Sequence, residues 1–91
     1  MSQITVEREH ALGYATARER AQKLVDKLVS KYDMEAAWEG DTVHLKRSGV
    51  TGEVHVAERT VQVVLKLGMM LSVMAPMIEG EVNKALDKYL A

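Results

Sequence analysis

A chain of 91 residues has room for one domain built round a single core. It contains no cysteine, which excludes disulfides, thiolate metal sites and thiol nucleophiles. Twelve basic and thirteen acidic residues leave a formal charge of −1, so no global field favours nucleic acid or an anionic membrane.

The first periodic stretch is Gln3 to Arg8. Ile4 and Val6 fall on one face and Thr5 and Glu7 on the other, which predicts a short strand. These opening residues lack the basic and apolar regions of a secretory signal, and no run of roughly 18–20 apolar residues follows that would span a bilayer. The expected compartment is the cytoplasm. From about Ala11 to Tyr32 the period changes. Tyr14, Ala17, Ala21, Leu24, Val25, Leu28 and Tyr32 recur at three and four, the stripe of an amphipathic helix. Gly13 reads as a mild cost near its start, and Asp33 lies just past its end.

Short alternating segments come next. Met34, Ala36 and Trp38 share a face, and Gly40-Asp41 reads as a hairpin turn. Val43 and Leu45 alternate with His44 and Lys46, and Ser48-Gly49 makes the second turn. Val50, Val54 and Val56 oppose Thr51, Glu53 and His55. After Ala57-Glu58-Arg59, the residues Val61, Val63, Leu65 and Leu67 form a fourth apolar face. Connections this short require an antiparallel meander.

Gly68 closes that strand, and Met69 to Ile78 then carries no charge and four methionines. Pro76 suits the first turn of a helix, where a missing N–H costs nothing. Ile78, Val82, Ala85, Leu86 and Tyr89 continue as a helical face, with Glu79 and Glu81 near its start and Lys84 and Lys88 toward its end, as the helix dipole favours. The expected fold is a single α+β domain over residues 1–91, in the order β-α-β-β-β-β-α. An antiparallel sheet of four to five strands carries two helices on one face. With no phenylalanine, its core is built from Val, Leu, Met, Ile and Ala.

Reactive constellations are scarce. About the Ser48-Gly49 turn, residues whose numbers sum to roughly 98–99 are expected to face each other, which makes His44 and His55 near neighbours. Two imidazoles with Glu53 or Glu35 would suit a metal. No HxH, HExxH or CxxC spacing supports one, so two solvated side chains are the simpler reading. Glu7, Glu9, Glu35, Glu39, Glu53 and Glu58 occupy surface registers, whereas a working carboxylate pair needs one member in an apolar pocket. Ser2, Ser30, Ser48 and Ser72 stand in neither a G-x-S-x-G elbow nor an S-x-x-K motif. Gly40, Gly49, Gly52 and Gly68 are spaced as turn residues and not as a phosphate loop. Arg18, Arg20, Lys23, Lys27 and Lys31 give the first helix a modestly basic face, without the basic excess and stacking aromatics of a nucleic-acid reader. No catalytic, cofactor-binding or metal-ligating residue is assigned, no cofactor is expected, and enzymatic activity is not expected.

The segment from Met69 to Ile78 is the unusual feature, because connections between elements are ordinarily polar. Either its side chains cap one end of the core or some of them are exposed. Methionine is unbranched and adapts to irregular partners, so an exposed cluster would form a deformable apolar surface. The candidate interaction surface is Met69, Met70, Leu71, Val73, Met74 and Met77.

Three stretches carry a family resemblance: Arg8-Glu9-His10-Ala11-Leu12-Gly13; Trp38-Glu39-Gly40-Asp41-Thr42 running on through Ser48-Gly49-Val50-Thr51-Gly52; and Leu67-Gly68 with Pro76 and the Ile78-to-Leu90 helix. Together, over nearly the whole chain, they resemble the polyhydroxyalkanoic acid system proteins, also called the polyhydroxyalkanoate granule-region family. The resemblance implies a setting among polyester biosynthesis and granule formation in the bacterial cytoplasm. It supplies no catalytic motif, and Gly40 and Asp41 read as hairpin residues. The expected function is a non-enzymatic accessory or interaction protein, partnered by the granule surface or another granule protein. Two further expectations stand beside it. One is a reduced helix-grip-like module that binds a lipid or other apolar ligand. The other is a homodimer through the Met-rich segment or a sheet edge, compatible with the first. No nucleic acid and no membrane span are expected.

Overall fold

The computed structural model describes residues 2–90; Met1 and Ala91, the ends of the expected domain, lie outside the described residues. Its elements are β1 (Ser2–Glu9), α1 (Tyr14–Tyr32), β2 (Glu35–Glu39), β3 (Thr42–Arg47), β4 (Val50–Val56), β5 (Thr60–Leu67), a 3₁₀ turn at Ser72–Met74 and α2 (Ala75–Leu90). Five antiparallel strands are ordered β1-β5-β4-β3-β2, and both helices lie on one face, as the periodicities predict.

Strand alternation sorts the residues into a hidden and an open face. On the hidden face Ile4 sits opposite Leu65 and Val6 opposite Val63. Val54 opposes Val43 on one side and Val63 on the other. Leu24 and Val25 of α1, with Val82 and Leu86 of α2, close over this layer and are nearly inaccessible to solvent. Each such aliphatic side chain contributes about 1.5–3 kcal/mol on burial, which makes this layer the main source of stability.

Polar contacts fix the direction of the helices. Arg20 Nη1 donates to the Tyr89 carbonyl at 3.0 Å, while Lys31 and Tyr32 both donate to Glu81 at the opposite end. The helices therefore run antiparallel. Arg8 of β1 reaches Asp87, at 3.3 Å, and Asn83 on α2.

Four local expectations need correction. Gly13 does not weaken α1 from within; it is the N-cap, at φ 79°, where glycine enters a conformation other residues resist. Asp33, at φ 54°, closes the same helix by donating its N–H to Val29. Helix α2 begins at Ala75, because the 3₁₀ turn feeds straight into it, so Glu79 and Glu81 fall beyond its first turn. Ala36 shares the face of Met34 and Trp38 yet is exposed, since β2 is an edge strand with little helix above it. Trp38 is held there by Arg18, whose guanidinium stacks 3.9 Å from the ring centroid, and by Gln22, which accepts from Nε1 at 2.6 Å. Finally, a two-residue loop at Ser48-Gly49 sets Arg47 opposite Val50. The register is thus one to two residues from the expected one: His44 faces Glu53 and His55 faces Thr42.

Gly52 lies mid-strand on the hidden face. A Cβ there would stand 2.5 Å from Leu65 Cδ2 and 3.1 Å from the Val64 carbonyl oxygen. Gly52→Ala is expected to lower stability by about 1–2 kcal/mol, because overpacking outweighs the smaller entropy gain from restricting the unfolded chain. Chemical denaturation measures this, and an unchanged or raised midpoint would contradict the close packing described.

Candidate functional site

The uncharged crossing from β5 to α2 forms one end of the molecule. Gly68 donates its N–H to the Gly49 carbonyl at 2.7 Å, which bolts the end of β5 to the β3–β4 hairpin. A Cβ on Gly68 would lie 3.2 Å from that same oxygen, a tight contact that a side chain could keep only if the Gly49 carbonyl gave way slightly. The Gly68 carbonyl then accepts from the N–H groups of Leu71 and Ser72, each at 3.1 Å, and from Ser72 Oγ at 3.0 Å. Met74 donates to Leu71 at 3.0 Å. With its backbone groups paired in this way, the crossing is an ordered turn.

That turn divides its side chains. Leu71, Met74 and Ala75 pack against the core, and Ile78 is buried. Met69, Met70, Val73 and Met77 point outward, with relative exposures of 81%, 89%, 84% and 53%. Of the six candidate residues, four are therefore surface, and Leu71 and Met74 belong to the turn's inner side. Scattered exposed apolar residues are ordinary, but four from one uncharged segment form a patch. Arg47, Ser48 and Gly49 border it, lining with Met69 to Leu71 a shallow hollow of about 370 Å³.

The histidines do other work. His55 Nε2 lies 2.8 Å from Glu53, while its Nδ1 meets the Thr42 hydroxyl at 2.9 Å. His44 sits 3.6 Å from Glu39 and 3.9 Å from Glu53. The two rings are thus joined through Glu53, whereas Glu35 pairs in register with Lys46 and stands apart. Among the described residues no group of three or more His, Asp or Glu is arranged to hold a metal. His10 Nδ1 accepts from the Leu12 N–H at 3.2 Å, which leaves Nε2 to donate to the Ala57 carbonyl at 3.1 Å. It stitches the turn before α1 to the turn between β4 and β5. Asp41 in the first hairpin accepts from Tyr14, and this bond is the first cause of the raised pKa of that phenol.

A second polar cluster was not evident in the sequence. Arg47 Nη1 donates to the Tyr32 carbonyl at 2.6 Å, and the Tyr32 hydroxyl donates to Glu81 beside Lys31. Burial, then the bond to Glu81, pushes the Tyr32 hydroxyl up to about 12. Bonds from Lys31 and Tyr32 hold Glu81 below its ordinary carboxylate value.

These features define a class: an α+β domain whose antiparallel meander is covered on one face by two antiparallel helices and capped at one end by an apolar turn. The same fold occurs in the NMR structure of PA4090 from Pseudomonas aeruginosa, with a TM-score of 0.61 and 11% identity over 97% of this chain and 83% of that one. This likeness concerns the fold alone. No curated protein matches the sequence. The family described as "Putative polyhydroxyalkanoic acid system protein" matches residues 4–90, and the chain belongs to it. No helix among the described residues is long and apolar enough to cross a membrane.

The Glu81 cluster carries a pH signature. A carboxylate whose folded pKa is depressed stabilises the fold above its unfolded value, here 4.5, and that stability is lost as pH falls through the lower folded value. Lys31 and Glu81 side chains are 46% and 27% exposed, so the effect is modest. Glu81→Gln is expected to cost up to about 1 kcal/mol at neutral pH. The gap from wild type should shrink in urea titrations as acidity increases below the ordinary carboxylate value. A gap that stays constant from neutral to acid pH would contradict the ionic role.

Proposed function

We propose that this chain is a non-enzymatic accessory protein of the bacterial polyhydroxyalkanoate storage system, which works in the cytoplasm and docks through Met69, Met70, Val73 and Met77 on a granule or on a protein at its surface. Membership of the polyhydroxyalkanoic acid system family supports the setting. The observation that carries the docking surface is the exposure of those four side chains on an ordered, uncharged turn and the start of α2. Covering a fully exposed methionine or valine stabilises an association by about 1.5–3 kcal/mol before the entropic cost of binding. Methionine's flexible thioether chain also follows an irregular partner surface better than a branched residue would. The turn is anchored from inside by Leu71 and Ile78, so little ordering is needed when it docks.

The test is co-sedimentation with isolated polyester granules, comparing wild type with the Met70→Glu, Val73→Glu double variant. Both positions are exposed, so the variant is expected to keep its circular dichroism spectrum and melting temperature. Its recovery in the granule pellet should fall at least severalfold. Equal recovery of the two folded proteins would refute docking through this surface. Sedimentation velocity on the same pair separates a further outcome: a wild-type dimer that the double variant abolishes would assign the patch to a second copy of the chain.

A further inference from the structure

The inner side of the same turn roofs a small cavity of about 60 Å³ between the end of the sheet and the helices. Its walls include Leu28 from α1, Val50, Leu65 and Leu67 from the sheet, and Leu71 and Ile78 from the crossing and α2. Met74 also borders it, half-buried, and its three rotatable bonds make it the wall best able to move. A space of roughly 10–15 Å³ by this measure accepts one water, yet cavities with purely apolar walls stay dry and take apolar guests.

Two polar residues border the cavity, Tyr32 and Arg47. Arg47 is exposed, which places its charged end on the solvent side. It spends one donor on the Tyr32 carbonyl, and a guanidinium has five. The acidic group near Tyr32 is Glu81, already bonded by Tyr32 and Lys31. An apolar slot with a cation at its rim is complementary to an amphiphilic anion.

We propose that this cavity receives the alkyl end of a short aliphatic monocarboxylate, whose carboxylate pairs with Arg47. The volume suits a few carbons, with Met74 shifting to lengthen the slot. The cavity uses the inward side chains of the turn and the docking surface the outward ones, with Arg47 on the border of both.

The test is methyl NMR titration of the whole chain with hexanoate, hexanol and hexylammonium as probes. Hexanoate should shift the methyl signals of Val50, Leu65, Leu71 and Ile78 saturably, and hexylammonium should bind at least about tenfold more weakly. Arg47→Gln should weaken hexanoate roughly tenfold, the worth of a charge-assisted hydrogen bond, and leave hexanol unchanged. Val50→Leu, which fills the slot, should weaken hexanoate and hexanol together. Should that variant fail to fold, the exposed Arg47 position still decides the question. Absence of saturable hexanoate shifts, equal binding of hexanoate and hexylammonium, or shifts confined to Met69 and Met70 would each overturn the proposal. Val50→Leu, buried and remote from the outward methionines, should leave granule recovery unchanged, so failure here and failure of the docking surface are read from different assays.

Discussion

One constraint governs this chain: the apolar face of a five-stranded sheet must be hidden, and only two helices are available to hide it. They succeed because they lie antiparallel and side by side, with Leu24 and Val25 from one and Val82 and Leu86 from the other filling the same layer. To place α2 there, the chain has to turn back over the end of the sheet after Leu67. The turn at Gly68 to Ala75 is where cover runs out. Its inner side chains complete the core, and its outer ones have nothing of this chain to pack against. The exposed patch follows from the topology, and its freedom from charge follows from the sequence.

The polar interactions arrange what the core stabilises. Arg8 with Asp87 and Lys31 with Glu81 join partly exposed groups, and such pairs contribute little. Their value is directional, since they set the pairing of β1 with α2 and of α1 with α2. Among the described residues no polar or charged side chain is buried.

Much of the fold was legible because period two and period three-to-four alternations are local properties. Val61, Val63, Leu65 and Leu67 announce a half-buried strand, and Leu24, Leu28 and Tyr32 a helix face, without knowledge of their partners. The hairpin register was missed because it depends on how many residues Ser48-Gly49 commit to the loop, and a slip of one or two changes who faces whom. Gly13 was misread because a glycine inside a helix and one capping it look alike until φ is known. The Met69–Ile78 segment was recognised as unusual, but its division into inner and outer residues was not. It passes from an irregular turn through a 3₁₀ turn into α2, so no single period runs along it to say which side chain points where. The bond from Arg47 to the Tyr32 carbonyl has no local signature, since it is a tertiary contact between a strand and the end of the first helix.

The division of that turn is the central claim, and limited oxidation by dilute hydrogen peroxide tests it most directly. Peptide mass spectrometry would follow each methionine in the native protein, where accessibility sets the rate. Met69 and Met70 should be converted to the sulfoxide first, Met77 more slowly, and Met34, at 6% exposure, last. Protection of Met69 and Met70 to the level of Met34 in the monomer would mean that the turn is core, and that the chain has no apolar surface there to offer a partner.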